Sequence, residues 1–226
     1  MRKYLSQFLS DKRVVDLPSW KWQPILQLII LSKRPFSAGE AYRSIWNTER
    51  DESPLLTITR DQCDAVSAQI AKVYGDDIIV DFAMRYGNPS VESVINNMRD
   101  QGVEKIVFFP CQCQKTTRLL KESLGWTDDN ITTTFQSVFG REEWLRPYTV
   151  EHVAELARQG KKNIAVISPA FSADCIETLE EIQEEIQDAF KEAGGETFTY
   201  IPCLNDSADH VDMMMDIIQN ELSGWV

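Results

Sequence analysis

This sequence lacks the features that mark several common protein classes. Its 226 residues include only 23 Lys and Arg against 35 Asp and Glu, a formal net charge of -12. Broad nucleic-acid binding needs basic residues clustered on one face, and no such cluster occurs, so that function class is excluded. A phosphate loop of the G-x-x-x-x-G-K-[ST] type is also absent, which disfavours a nucleotide-driven function.

Long apolar runs are missing as well. The longest, PILQLIIL at residues 24–31, is far shorter than the roughly 20 residues that span a bilayer. The first residues, MRKYLSQ, contain no apolar core typical of a signal peptide, so the pattern predicts a cytoplasmic protein. Five cysteines, an odd number in a reducing compartment, favour free thiols or metal ligands over a disulfide framework.

What the sequence does contain is a periodic pattern. Residues 1–72 are predicted to be helical, and beyond residue 75 apolar strands alternate with helices, which predicts an α/β fold with a parallel, doubly wound sheet. Such sheets bind ligands outside the carboxyl ends of their strands. The predicted strands are DDIIVDFAMRYG, VEKIVFFP, NITTTFQS, KNIAVISP and TFTYIPCL. The residues that follow them are Arg85 and Tyr86, Cys111 and Cys113, Gln136 and Ser137, residues 169–177, and residues 203–206.

The stretch SPAFSADCIETLEEI, residues 168–182, supports two interpretations. Asp174 and Glu177 have the spacing of a capping box at a helix start. Glu177, Glu181 and Glu185 also form a like-charged row at i, i+4 and i+8, which costs helix stability and could bind a hard cation or relay protons. Both interpretations stay open at this stage.

Five stretches together look like a bacterial ferrochelatase, and the resemblance covers nearly the whole chain. It implies a chelatase-like fold of two Rossmann-like halves, shortened or merged, here residues 1–110 and 111–226. It further implies a lyase of haem biosynthesis that inserts ferrous iron into protoporphyrin IX to form protohaem. The stretches are YLSQFLSDKRVVDLP (4–18), CQCQKTTRLL (111–120), TFQSVFGREEWLRPYT (134–149), AFSADCIETLEE (170–181) and EAGGETFTYIPCLND (192–206).

The resemblance also assigns roles to individual residues. Glu177 stands at the position of the family's glutamate in the porphyrin cleft, as base and metal contact, and Glu181 resembles the start of its metal or proton path. The residues that match the family's substrate-binding positions are Arg34, Arg85, Tyr86, Trp144 and Phe171. The alternative for Tyr86 and Trp144 is an ordinary place in the core.

Two further features follow from the resemblance. Cys111, Cys113, Cys175 and Cys203 would supply the four thiolates of a [2Fe–2S] cluster, which some family members carry, or they are four reduced thiols. The apolar stretch SWKWQPILQLIIL, residues 19–31, is similar to the lip of the cleft and either makes a peripheral membrane contact or is a buried helix. Oligomeric state is not indicated.

The sequence departs from the family at residues 108–113, FFPCQC. A segment carrying the family's active-site histidine is missing between Pro110 and Cys111, and the family's first strand is missing too. The only histidines are His152 and His210. Neither matches the family's active-site histidine, and both are predicted to be surface residues. The remaining strands are predicted to form one five-stranded sheet or two incomplete ones, and the chain is either a lyase or a non-catalytic tetrapyrrole- or cluster-binding remnant.

Overall fold

The chain folds into two compact units in a computed structural model, Met1–Phe109 with Asn205–Val226, and Pro110–Leu204. Each unit is described by itself below. The structure describes residues 1–12, 14–75, 77–106, 122–125, 127, 131–136, 145–169 and 171–223.

The first unit begins with helices that share a small apolar cluster. The cluster consists of Leu5, Leu9, Leu26 and Leu31, all buried. Leu5 and Leu9 lie four residues apart and so fall on one face of their helix. The elements are α1 (Arg2–Ser10), α2 (Ser19–Ile25), a π-helical turn (Leu26–Ile30) and α3 (Leu31–Ile45).

The longest of the described helices, α4 (Pro54–Tyr74), begins and ends where local signals predict. The Ser53 hydroxyl accepts a hydrogen bond from the Leu56 amide, and Pro54 occupies the first helical position, which suits its missing N–H. The helix ends at Gly75, whose φ of +67° favours glycine.

Two more described helices belong to this unit, α5 (Val91–Asp100) and the C-terminal helix, which is numbered α8 (Ala208–Leu222). Helix α8 packs on α4, and their contact buries Val66, Ile70, Val211, Met214 and Met215.

The strands predicted in this part of the chain are not observed. Residues 77–106 contain no strand, only an isolated parallel bridge between Met84 and Ser90. A β-strand requires a paired neighbour, and within the described residues this extended segment has none. The prediction over residues 77–87 is therefore wrong, and the end of the second predicted strand, residues 107–110, lies outside the described residues.

The second unit is a small α/β layer. Strands β1 and β2 pair in parallel with Asn163 opposite Thr197 and Ile167 opposite Ile201. Both predicted strands and the parallel arrangement are confirmed. The elements in chain order are α6 (Thr149–Arg158), β1 (Asn163–Ile167), a π-helical segment (Glu177–Ile186), α7 (Gln187–Glu192) and β2 (Thr197–Ile201).

Helices cover one face of this sheet. Alternate strand residues, Ile164, Val166, Phe198 and Tyr200, pack against a cluster of Val153, Ala157, Ile182, Ile186 and Phe190. The sequence predicts one five-stranded sheet or two incomplete ones. The first alternative is wrong for the described residues, where the sheet has two strands. Residues 131–136 add only an isolated bridge between Phe135 and Tyr148. No described helix is both long and apolar enough to cross a membrane.

Candidate functional site

The acidic segment Glu177–Ile186 lies just beyond the carboxyl end of β1, where parallel sheets bind ligands. Thr178, Ile182 and Ile186 form its buried face. Glu177 and Glu181 are half-buried and one turn apart. The segment is π-helical, a geometry that sequence reasoning did not predict and that occurs frequently at functional sites.

The π-helical turn changes which carboxylates meet. Burial raises the pKa of Glu180, and the charges of Glu185, Glu181 and Glu184 raise it further, in that order. Glu185 is five residues away, the spacing that an i→i+5 helix stacks. Neighbouring carboxylates disfavour one another's ionised forms, so this row gains stability by binding a cation or by holding protons.

Gln136 connects residues 131–136 to this row. Its Nε2 donates to the carboxylate of Glu181 at 2.6 Å and to the backbone carbonyl of Glu177 at 3.0 Å. The sequence placed Gln136 after a predicted strand, at the same edge as Glu177, but assigned it no role. Its partners lie more than 40 positions along the chain, so no local pattern indicates them.

A buried carboxylate, Asp174, anchors the loop that leads into the acidic segment. Asp174 is 4% exposed, and its Oδ1 accepts from the Tyr200 hydroxyl at 2.5 Å, the Thr178 hydroxyl at 2.9 Å and the Cys203 amide at 3.4 Å. The π-helical segment has Ile176 at its N-cap with no side-chain capping bond. The capping box is therefore not formed, because the Asp174 carboxylate reaches instead to the end of β2.

The cysteines of this unit lie beside carboxylates. Burial raises the pKa of the Cys175 thiol, and the Glu177 carboxylate raises it further. Burial also raises the pKa of Cys203 to about 12, with the Asp174 charge adding to that effect. Cys111 and Cys113 lie outside the described residues. Among the residues that are described, no group of three or more His, Cys, Asp or Glu is arranged to hold a metal ion.

Arg85 and Tyr86 belong to the first unit and are tied to the end of α1. The Tyr86 hydroxyl donates to the Asp11 carboxylate at 2.8 Å, and the Arg85 guanidinium lies 3.3 Å from the same carboxylate. The Tyr86 ring meets Tyr4 and Phe8 edge to face, with centroids 6.4 and 5.3 Å apart. Burial and the Asp11 bond raise the pKa of Tyr86. These contacts fix the loop that carries both predicted substrate residues.

The predicted lip is exposed. Helix α2 buries no residue, and Trp20 and Leu28 are 75% and 76% exposed. Phe36, which follows the lip on α3, is 77% exposed. The interpretation as a buried helix is therefore wrong for α2 and most of the following turn. Arg34 is also exposed, on α3 beside this surface.

The remaining candidates fall in different places. Phe171, in the loop before the acidic segment, is 37% exposed, and Trp144 lies outside the described residues.

The prediction of surface histidines is wrong for His210, which is 3% exposed with Nδ1 at 2.6 Å from the Asn205 carbonyl. His152 also departs from it, because its Nε2 is buried, with no hydrogen-bond partner in the described structure.

Comparison with known proteins gives a match along the chain. The family model described as Ferrochelatase matches residues 1–111 and 109–222. The ferrochelatase of Rhodobacter capsulatus is 48% identical, with 100% of this chain and 88% of that protein covered. The ferrochelatases of Rhizobium etli (strain CIAT 652) and Agrobacterium fabrum are each 38% identical, covering 100% of this chain and 89% of their own length.

The same comparisons locate a gap. The two matched pieces meet at residues 109–111, the junction FFPCQC. The alignment with the Rhodobacter capsulatus protein runs over 310 positions, 84 more than this chain has residues. The predicted loss of a central segment is thereby confirmed.

Proposed function

Because this chain belongs to the ferrochelatase family, we propose that it is a lyase that inserts ferrous iron into protoporphyrin IX and releases protohaem. The observation that carries the proposal is the acidic segment at the carboxyl end of β1, where Glu177 and Glu181 lie one turn apart. A non-catalytic remnant is not favoured, because both matched pieces include the segments that carry the predicted catalytic and substrate residues.

The reaction requires a proton acceptor. Insertion replaces two pyrrole N–H protons with one Fe²⁺, so two protons leave for each iron that enters. Glu177 accepts a proton at its carboxylate, and Glu181 passes it along the acidic row. The raised pKa of Glu180 supports this path, since it marks a place directly beside Glu181 where a proton is held more readily than on an isolated glutamate.

Substrate binding is assigned by residue type. The guanidinium groups of Arg34 and Arg85 suit the two propionates of the porphyrin, because Arg pairs bidentately with carboxylates. Tyr86, Trp144 and Phe171 offer aromatic surface to the macrocycle. The contacts of Tyr86 and Arg85 with α1 support this assignment for the first unit, because a loop held at Asp11 presents its side chains in a fixed direction.

Loss of the family's histidine leaves Glu177 as the acceptor in this chain. His210 is buried and hydrogen-bonded to the Asn205 carbonyl, so it has a structural role and does not replace the family's histidine. One general acid or base contributes about 10²- to 10⁴-fold in rate, so we expect turnover below that of intact relatives by a factor within this range.

A further question is whether the cysteines of this chain bind a [2Fe–2S] cluster. It would need four thiolates, and Cys111 and Cys113 lie outside the described residues, so the fit rests on Cys175 and Cys203. Thiolate ligands form in electropositive surroundings, whereas burial and the carboxylates of Glu177 and Asp174 raise both pKa values. Among the described residues no group of three or more His, Cys, Asp or Glu is arranged to hold a metal ion, so the described half of the donor set gives no support for a cluster, and no step of the reaction depends on one.

We also propose that the chain makes a peripheral contact with the cytoplasmic face of a membrane. Trp20, Leu28 and Phe36 are exposed, and Lys21 and Lys33 lie on the same helices. Apolar side chains flanked by lysines suit the interface of an anionic bilayer. Phe36→Asp should reduce sedimentation with phosphatidylserine vesicles, whereas equal sedimentation of both proteins would contradict the contact.

Anaerobic insertion assays test the proposed reaction. The native chain, Glu177→Gln and a control, Glu192→Gln, are compared with protoporphyrin and ferrous or zinc ion. Glu192 is an exposed residue at the end of α7, so its change alters charge equally without touching the segment. We expect kcat to fall about 100-fold in Glu177→Gln and to be unchanged in Glu192→Gln. Absence of turnover in the native chain, or equal turnover in all three, would overturn the proposal.

A further inference from the structure

Gln136 holds two parts of the acidic segment with one side chain. We infer that Gln136 is a positioning residue for metal insertion, whose amide fixes the Glu181 carboxylate relative to Glu177. This inference rests on the proposed function and adds a residue to which neither the sequence nor the family comparison gave a role.

The geometry uses the whole donor capacity of the amide. Nε2 carries two N–H groups, and its two contacts are Oε2 of Glu181 at 2.6 Å and the carbonyl of Glu177 at 3.0 Å. The reversed amide would place its oxygen against two acceptors, so the orientation is determined. A side chain held by two bonds to one helical turn has little freedom to let Glu181 rotate.

The backbone that carries Gln136 is itself held. The Phe135 amide donates to the Pro147 carbonyl at 2.9 Å, and the Phe135 carbonyl accepts from the Thr149 amide at 3.0 Å. The hydroxyls of Thr134 and Thr149 lie 3.0 Å apart. Gln136 therefore extends from a fixed base at the start of α6.

The neutral charge of glutamine matters for the reaction. Repulsion within the acidic row would turn Glu181 away from its neighbours, and a donor is needed to oppose that. Lys or Arg would do so by neutralising the carboxylate and competing with the incoming cation. An amide orients the carboxylate and leaves its negative charge available.

A double-mutant cycle separates positioning from general support of the fold. The native chain, Gln136→Ala, Glu181→Ala and the double variant are compared for kcat and for the porphyrin KM. We expect Gln136→Ala to lower kcat about 10- to 100-fold, the cost of a misplaced group, with KM unchanged. In the Glu181→Ala background the same substitution should leave kcat unchanged, because no carboxylate is left to position.

Gln159→Ala is the matched control. Its amide also donates to a glutamate carboxylate, Glu155, at 2.9 Å, but on the exposed surface of α6. This variant should keep native kcat. Equal losses from Gln136→Ala in both backgrounds would indicate a structural role and overturn the inference, as would an unchanged kcat.

An inactive native chain would be a failure of the proposed function and not of this contact. In that case, urea unfolding of the same four proteins tests whether Gln136 and Glu181 interact. A midpoint lowered by Gln136→Ala in the native background but not in Glu181→Ala supports the Gln136–Glu181 link. Equal shifts in both backgrounds overturn it.

Discussion

The hydroxyl of Tyr200 donates a 2.5 Å hydrogen bond to the buried carboxylate of Asp174. Tyr200 lies near the end of β2, and Asp174 lies in the loop between β1 and the acidic segment. The bond therefore joins the carboxyl ends of both strands at the point where the candidate catalytic helix begins. Burial and the Asp174 bond raise the pKa of Tyr200, which keeps its hydroxyl protonated as a donor.

Tyr200→Phe should destabilise the second unit. It removes one of the donors to a buried carboxylate, and a hydrogen bond to a charged group contributes about 1.5 to 3 kcal/mol. We expect a loss of that order in the free energy of unfolding, measured with urea at pH 7. Tyr74→Phe is the control, because Tyr74 ends helix α4 in the first unit and the substitution makes the same chemical change away from Asp174. Equal effects of the two substitutions would contradict the role of the Asp174 bond.

Buried thiols should make the chain less stable at alkaline pH. Burial raises the pKa of Cys63 to about 11 and that of Cys203 to about 12, above the ordinary value of 9.0. The folded chain therefore holds these protons more tightly than the unfolded chain does. Their contribution is fully present below pH 9 and is lost as pH rises from about 9 toward 12.

The measurement is urea unfolding between pH 7.5 and about 10.5. We expect stability to fall with rising pH, and to fall less steeply in Cys203→Ala than in the native chain. The double variant Cys63→Ala with Cys203→Ala should be flatter still. A native slope that both substitutions leave unchanged would assign the alkaline loss to other groups.

Gly195→Ala should disturb the core of the second unit. A Cβ at this position would overlap the ring of Phe190, which is fully buried. Overpacking of a filled core costs about 1 to 3 kcal/mol, so we expect a loss of that size in urea unfolding. Gly39→Ala is the matched control, since its Cβ would meet nothing within 4 Å. A loss in Gly39→Ala as large as that in Gly195→Ala would contradict the packing argument.

Local signals in the sequence predicted the local parts of this fold. Ser53 and Pro54 start α4 and Gly75 ends it, because capping depends on residues within one turn. Strands β1 and β2 were predicted from short apolar runs, and their parallel pairing from the helix between them. The acidic stretch was likewise identified from spacing alone.

Features that depend on distant residues could not be predicted in this way. The predicted strand over residues 77–87 has the right composition, but pairing depends on a neighbour elsewhere in the chain. Helix α8 has a clear apolar face, yet nothing local indicates that it packs on α4. Asp174 has cap spacing, and only the approach of Tyr200 shows where its carboxylate is used. Gln136 is the clearest case in the site, since both its partners come from another element.

Glu180→Gln should stabilise the chain at neutral pH. Burial and the charges of Glu185, Glu181 and Glu184 raise the pKa of Glu180 above its ordinary 4.5. A carboxyl whose pKa is raised by folding favours the folded state below its unfolded pKa and loses that contribution as pH rises through the folded value. At pH 7 the ionised group therefore opposes folding, and each like-charged helical neighbour costs about 0.2 to 0.5 kcal/mol.

Removal of the charge should raise the free energy of unfolding by about 0.5 kcal/mol at pH 7, and the gain should shrink as pH falls toward about 4, because the raised pKa favours the protonated native group. Glu104→Gln, an exposed change of the same charge in the first unit, controls for net charge. A gain that is equal at both pH values, or equal in the two variants, would mean that repulsion along the row is not the cause. A bound cation would relax the same repulsion, and the proposed metal insertion at Glu177 and Glu181 requires this property of the row.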